Sequence, residues 1–126
     1  MSDLVLIFII VALIIHLYGY ILFKTVSIDS DPLQHEIYGI SIWTITHFIF
    51  FAFIGYYYED CFKESMLLGI LWELYEASFG KFFPKLFPQL AMEIDPNWHT
   101  WTYACYQDIL FNFLGFQFGK MIKKIL

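Results

Sequence analysis

The stretch "GILWELYEASFG", Gly69 to Gly80, decides how this chain is read. It sets Glu73 and Glu76 three residues apart inside one of the few apolar runs of membrane-spanning length. A carboxylate at the centre of a bilayer costs at least ~2.5 kcal/mol even on the translocon scale, so two on one segment need a physical reason. Either the segment lies in the interface with its glutamates in water, or it crosses the bilayer with both turned into a bundle. The surrounding sequence favours the second reading.

Of 126 residues, 60% are hydrophobic, 22% aromatic and only 15% charged, with a mean hydropathy of +0.62. That lies outside the soluble globular range and predicts a single-domain membrane protein over residues 1–126. The net charge of −5 comes mainly from short loops and the acids discussed below; with no basic surface, nucleic acid is excluded as a partner. Cys61 and Cys105 have neither CxxC nor zinc-type spacing and read as reduced, buried thiols. The start, "MSDLVLIFIIVALIIHLYGYILF", has an acidic residue, no lysine-rich region and no small-residue cleavage site, which predicts a retained helix rather than a signal peptide.

Working outward, apolar runs at 4–23, 37–58, 62–83 and 102–126 predict an all-α, polytopic membrane protein, a compact bundle of about four transmembrane helices. "KTVSIDSDPLQHE" (24–36) reads as a loop, and "PKLFPQLAMEIDPNWHTW" (84–101), with its prolines, as an interfacial or re-entrant connection. Trp98, Trp101 and Tyr103 suit a membrane-interface belt. His35 and His99 read as exposed loop residues and His16 as structural. Lys63, Lys120, Lys123 and Lys124 gather on one side, against Lys24, Lys81 and Lys85 on the other, so the positive-inside rule favours cytoplasmic termini in a multi-pass chain.

On a helix, positions i, i+4, i+7 and i+11 share one narrow stripe. In the third segment that stripe is Gly69, Glu73, Glu76, Gly80; in the fourth it is Asp108, Asn112, Gly115, Gly119. Small residues let helices in lipid approach closely, and Gly115-x-x-x-Gly119 has the spacing for it. Thr44 and His47 face the same general way on the second segment. A bundle with these seams inward gathers His47, Glu73, Glu76, Asp108 and Asn112 in one pocket. Three carboxylates in low dielectric need protons or a cation to compensate them. Carboxylate and amide oxygens suit a hard divalent ion, Ca²⁺, Mg²⁺ or Mn²⁺, and nothing calls for an organic cofactor. Glu73, Glu76 and Asp108 are the expected ligands, leaving His47 as general base or nucleophile.

Residues 43–122 resemble the VanZ-like membrane proteins and, more distantly, the eukaryotic-type phosphatidylserine synthases. The family's His-Phe-rich helix stands here as "THFIFFAF" with His47. Its "E-L-x-Q" is "WELYE" with Glu73, and its "D-x-x-x-N-x-x-G-x-x-x-G" is "DILFNFLGFQFG" with Asp108, Asn112, Gly115 and Gly119. Glu76 replaces the usual glutamine, giving the E-x-x-E of the synthases. The arginine often found before the family's aspartate is absent, and His99 and Tyr103 occupy the region where the synthases carry an acidic pair.

The resemblance implies a four-helix bundle with a polar site near one membrane face, acting on lipid head groups or lipid-linked phosphates. The expected activity is metal-assisted head-group transfer or hydrolysis. Asn112 would orient a ligand or phosphate oxygen; His47 would deprotonate the attacking group or carry a phospho-intermediate. Membrane lipids and a lipid-phosphate substrate are the expected partners. Two rival classes stand beside this one: a non-catalytic scaffold or lipid-binding protein, and a small ion or proton transporter, which with four short helices would call for a homo-oligomer.

Overall fold

The computed structural model describes residues 2–25, 32–90 and 106–126. Four helices dominate: α1 (Ser2–Thr25), α2 (Ile42–Tyr57), α3 (Phe62–Leu86) and α4 (Tyr106–Ile125). A 3₁₀ turn, Pro32–Gln34, and two short antiparallel strands, β1 (Glu36–Ile37) and β2 (Ile40–Ser41), precede α2. The fold is thus mostly helical, as expected.

The start of the second helix is corrected. Residues 37–41, assigned from hydropathy to the second span, form a hairpin in which Ile37 pairs with Ile40 and Glu36 with Ser41. Tyr38 and Gly39 form its two-residue turn with φ of 53° and 78°. Positive φ at both central positions gives the tight turn that matches strand twist and cannot continue a helix. Ser41 then caps α2: its Oγ accepts the Thr44 backbone N–H at 3.2 Å. A helix starting at Ile42 keeps 16 residues, about 24 Å, short of a ~30 Å hydrocarbon core. Among the described helices, only α1 is both long and apolar enough to cross a membrane; α3 and α4 carry charge at their ends and in the seam read from the sequence.

The helices run up and down. Backbone contact between α2 and α4 fixes their relation: a Cβ on Gly115 would run into the Phe48 carbonyl, one on Gly119 into that of Ala52, and one on Gly55 into that of Phe116. Residues 48 and 52 meet 115 and 119 in the same order, so these two helices are parallel. α3 returns antiparallel alongside their shared seam, with Phe62 edge-on to Phe116 near its start and Gly69 beside Asn112 further along. α1 runs antiparallel to α2, with Phe8 against Phe50 and Phe51, and Tyr18 against Trp43.

The core sits toward the end where α1 and α3 begin. Leu4, Phe51, Ile54 and Phe116 are buried there, with Ile7, Phe8, Cys61, Phe62 and Met66 packed around them. Cys61 is a free, half-buried thiol; Cys105 and the 91–105 part of the proline-rich connection, including Trp98, His99, Trp101 and Tyr103, lie outside the described residues. At the same end Lys123 Nζ donates to Glu59 Oε1 at 2.9 Å, tying the last turn of α4 to the α2–α3 turn. That bond and the Lys123 charge hold the Glu59 carboxyl below its ordinary value of 4.5.

Two outcomes follow from these contacts. Gly115→Leu forces α2 and α4 apart against backbone, and overpacking of this kind costs about 1–3 kcal/mol or more; the thermal midpoint of the purified protein in detergent should fall, and an unchanged midpoint would place this face outside the helix contact. The Glu59 tie holds above the ordinary carboxylate pKa and is lost as pH falls through the lowered value. Carboxyl-selective NMR should therefore show Glu59 titrating below 4.5 and moving upward in Lys123→Met.

Candidate functional site

The polar seams meet at the other end of the bundle, where α2 and α4 begin. Thr44 lies in the first turn of α2, His47 one turn on, Asp108 in the first turn of α4 and Asn112 one turn on, while Glu73 comes from midway along α3. Glu73, Asp108, Asn112 and Thr44 are buried, and His47 nearly so, its side chain 13% exposed. Because α2 and α4 are parallel, both N-termini point toward this cluster, and their partial positive charges favour the Asp108 carboxylate beside them.

Each partner is oriented by a hydrogen bond. Asn112 Oδ1 only accepts, so His47 Nδ1 carries the proton in their 2.9 Å bond. Nε2 of a neutral His47 then presents a lone pair, 3.8 Å from Glu73 Oε1 and 3.8 Å from Asp108 Oδ2. The other Asp108 oxygen accepts from Thr44 Oγ1 at 2.6 Å. With its one proton committed there, Thr44 accepts from Ser41 Oγ at 3.1 Å. Thus Ser41, Thr44 and Asp108 form a hydrogen-bonded chain that fixes the orientation of the carboxylate. Gly69 makes room for the network: a Cβ there would sit 2.7 Å from Asn112 Nδ2 and 3.0 Å from Phe51 Cζ.

A bare imidazole nitrogen facing two carboxylate oxygens is repulsive unless a proton or a cation stands between them. His47, Glu73 and Asp108 each offer one ligand atom, all within 4.8 Å of one another, so the group could hold a metal ion. An ion bonded at about 2.0–2.2 Å to each donor can bridge the 3.8 Å gaps, and the His47–Asn112 bond is the kind of outer contact that fixes a ligating histidine's tautomer.

The structure brings together four of the five residues predicted for the site, but in changed roles. His47, expected to stand free as the base, belongs to the cluster of possible ligands. Glu76, expected as a ligand, does not; one turn further along α3, it lines a neighbouring cavity with Trp72 and Tyr75. Gly69, Gly115 and Gly119 lie at helix contacts. Gly80 falls within α3, where its surroundings are outside the described residues.

Three participants went unlisted by the sequence reading. Thr44 was seen on the right face but given no role; its signal is the S-x-x-T cap that starts α2. Gly55 is a lone glycine inside an apolar helix, a spacing cue for close approach. His16, read as structural, donates or accepts through Nε2 to the Tyr75 hydroxyl at 2.7 Å, while Nδ1 lies 2.6 Å from the Ala12 carbonyl. No sequence spacing announces a pair 59 residues apart.

Fold and site together define a helical bundle with a buried His/Glu/Asp cluster able to hold a metal ion. Compared with known proteins, the chain matches no family model, no curated protein and no solved structure.

Asp108→Asn and Glu73→Gln should each abolish metal binding in isothermal titration while leaving helix content unchanged, because each removes a buried negative charge. Thr44→Val, which deletes only the orienting donor, should weaken affinity about 10–100-fold. Wild-type affinity in all three variants would discard the site.

Proposed function

We propose that the chain is a multi-pass membrane protein, VanZ-like, that uses a cation held by His47, Glu73 and Asp108 to transfer or hydrolyse the head group of a phospholipid or lipid-linked phosphate. The carrying observation is the convergence of these three side chains, from three helices, on one point at the end where α2 and α4 begin.

The outward faces support a lipid surround. Leu6, Leu13 and Leu17 on α1, Ile49 and Phe53 on α2, Leu67 and Leu74 on α3, and Leu110 and Phe113 on α4 are all exposed. Monomeric soluble proteins rarely expose contiguous apolar patches above a few hundred Å². In a bilayer the short α2 is extended at one end by the hairpin, whose Tyr38 is wholly exposed, as befits an interfacial anchor. The termini share an end with Lys63, Lys120, Lys123 and Lys124; with that end cytoplasmic, the polar site opens toward the opposite leaflet.

One imidazole and two carboxylates favour Mn²⁺ or Zn²⁺ over the all-oxygen preference of Ca²⁺ and Mg²⁺. Such an ion supplies Lewis-acid polarisation of a phosphoryl oxygen. The protein's own groups do the rest. Asn112 and Thr44 hold the ligands in place, and the two helix N-termini add positive potential where phosphate charge gathers; Glu76, the carboxylate left outside the cluster, takes the proton of the attacking hydroxyl or water as its oxygen bonds to phosphorus and returns it to the departing oxygen as the old P–O bond breaks.

The test is lipid mass spectrometry on wild type and the Glu73→Gln/Asp108→Asn double variant, each incubated with mixed lipids, candidate alcohols and Mn²⁺, Zn²⁺, Mg²⁺ or Ca²⁺. A head-group change made only by wild type, at least ~100-fold above the variant, is expected. No change with any ion, both proteins being folded, would overturn the enzyme and leave a scaffold.

A further inference from the structure

α1 meets the other helices in two places. Near its start Leu4, Ile7 and Phe8 join the core; near its end His16 reaches Tyr75, and Tyr18 packs on Trp43. Between them, bounded by α1, α2 and α3, lies a cavity of about 720 Å³. Its walls change character along its length. Val5, Phe8, Phe51 and Leu68 make one end wholly apolar, while His47 and Glu76 stand toward the other. From Val5 to Tyr18 it follows α1 for about 20 Å, longer than half of a ~30 Å hydrocarbon core, the depth of one leaflet.

We infer that this cavity is a lipid-tail site: it takes one acyl chain of a membrane lipid whose head group then lies at His47, Glu73 and Asp108. This deepens the proposed function and rests on its reading of the cluster as a head-group site. Three features select the occupant. An apolar space of this size is unstable as a void, and walls of Val, Phe and Leu give water few partners. The volume falls in the ~300–1,000 Å³ range of small-molecule pockets, with the usual apolar lining and few polar groups. The polar residues are confined to the end shared with the cluster, because His47 belongs to both, so an amphiphile fits in one direction only. A wholly apolar ligand would leave the His47 end unmatched, and a free phosphate ester would leave the apolar end unfilled.

The experiment measures lipid retention apart from catalysis. Full-length protein in nanodiscs of phosphatidylcholine doped with a phospholipid carrying a diazirine near the end of one acyl chain is irradiated, and adducts are mapped by mass spectrometry. Adducts on Phe8, Phe51 or Leu68 are expected; adducts confined to outward residues such as Leu13 and Leu17 would overturn the proposal. Ala12→Trp, on the cavity wall, and Leu68→Trp, at its apolar end, should each cut the interior adducts about tenfold, while Leu13→Trp on the outer face leaves them unchanged. If both wall variants keep their helix content and their interior adducts, the proposal fails. Turnover measured beside the adducts separates the two readings. Interior adducts without turnover in wild type would sink the enzyme and keep the tail site, whereas turnover with no interior adducts would keep the enzyme and sink the tail site.

Discussion

The rest of the structure depends on the backbone contact between α2 and α4. Gly55, Gly115 and Gly119 each face a carbonyl of the opposite helix where any side chain would collide. Association of these two helices rests on this close packing and on the polar contacts between them. The register that it sets is what carries Asp108 to Thr44 and Asn112 to His47. A slip of one residue on α4 would rotate both polar side chains by about 100° and break both bonds. Packing and chemistry are therefore one constraint: the glycines set the distance, and the polar pairs set the rotation.

α3 enters this arrangement as the third wall, and its glutamates settle the electrostatics. Glu73 is buried against the α2–α4 seam. There it meets Asp108 across the His47 nitrogen, an arrangement of two carboxylates that requires positive charge between them. Part of that charge is built into the backbone, since both parallel helices begin here; a cation held by the three side chains could supply the remainder. Glu76, one turn closer to the end of α3, faces the cavity instead. Two carboxylates on one helix thus acquire different surroundings, one in the polar cluster and one on the cavity wall.

Much of this was legible in sequence because the helical period is rigid. Asp108, Asn112, Gly115 and Gly119 fall on one stripe whatever else the chain does, and the structure places all four on the face of α4 turned toward α2 or α3. The existence of α3 was also legible, although Glu73 and Glu76 spoil its hydropathy. Three things were not. The hairpin at 36–41 was absorbed into an apolar run because Ile37, Ile40 and Ile42 read the same in a strand as in a helix, and a tyrosine at φ of 53° has no strong signature. The choice between Glu73 and Glu76 was hidden too, for residues three apart differ by about 60° around the axis, and only the rotation of α3 against His47 decides which looks inward. Contacts of α1 with Tyr75 and Trp43 join segments far apart in the chain, and no spacing within α1 discloses them.

The spacing of the helices along the chain carries a consequence for how the cluster assembles. The two hydrogen bonds that α4 makes to α2 span 64 and 65 residues, so Asp108 and Asn112 gain these partners only once α4 has docked. Until then the face shared by α2 and α3 holds His47 and Glu73 without Asp108, and Thr44 has not met its acceptor. Contacts so far apart in sequence form slowly, which makes the complete cluster a late product of folding.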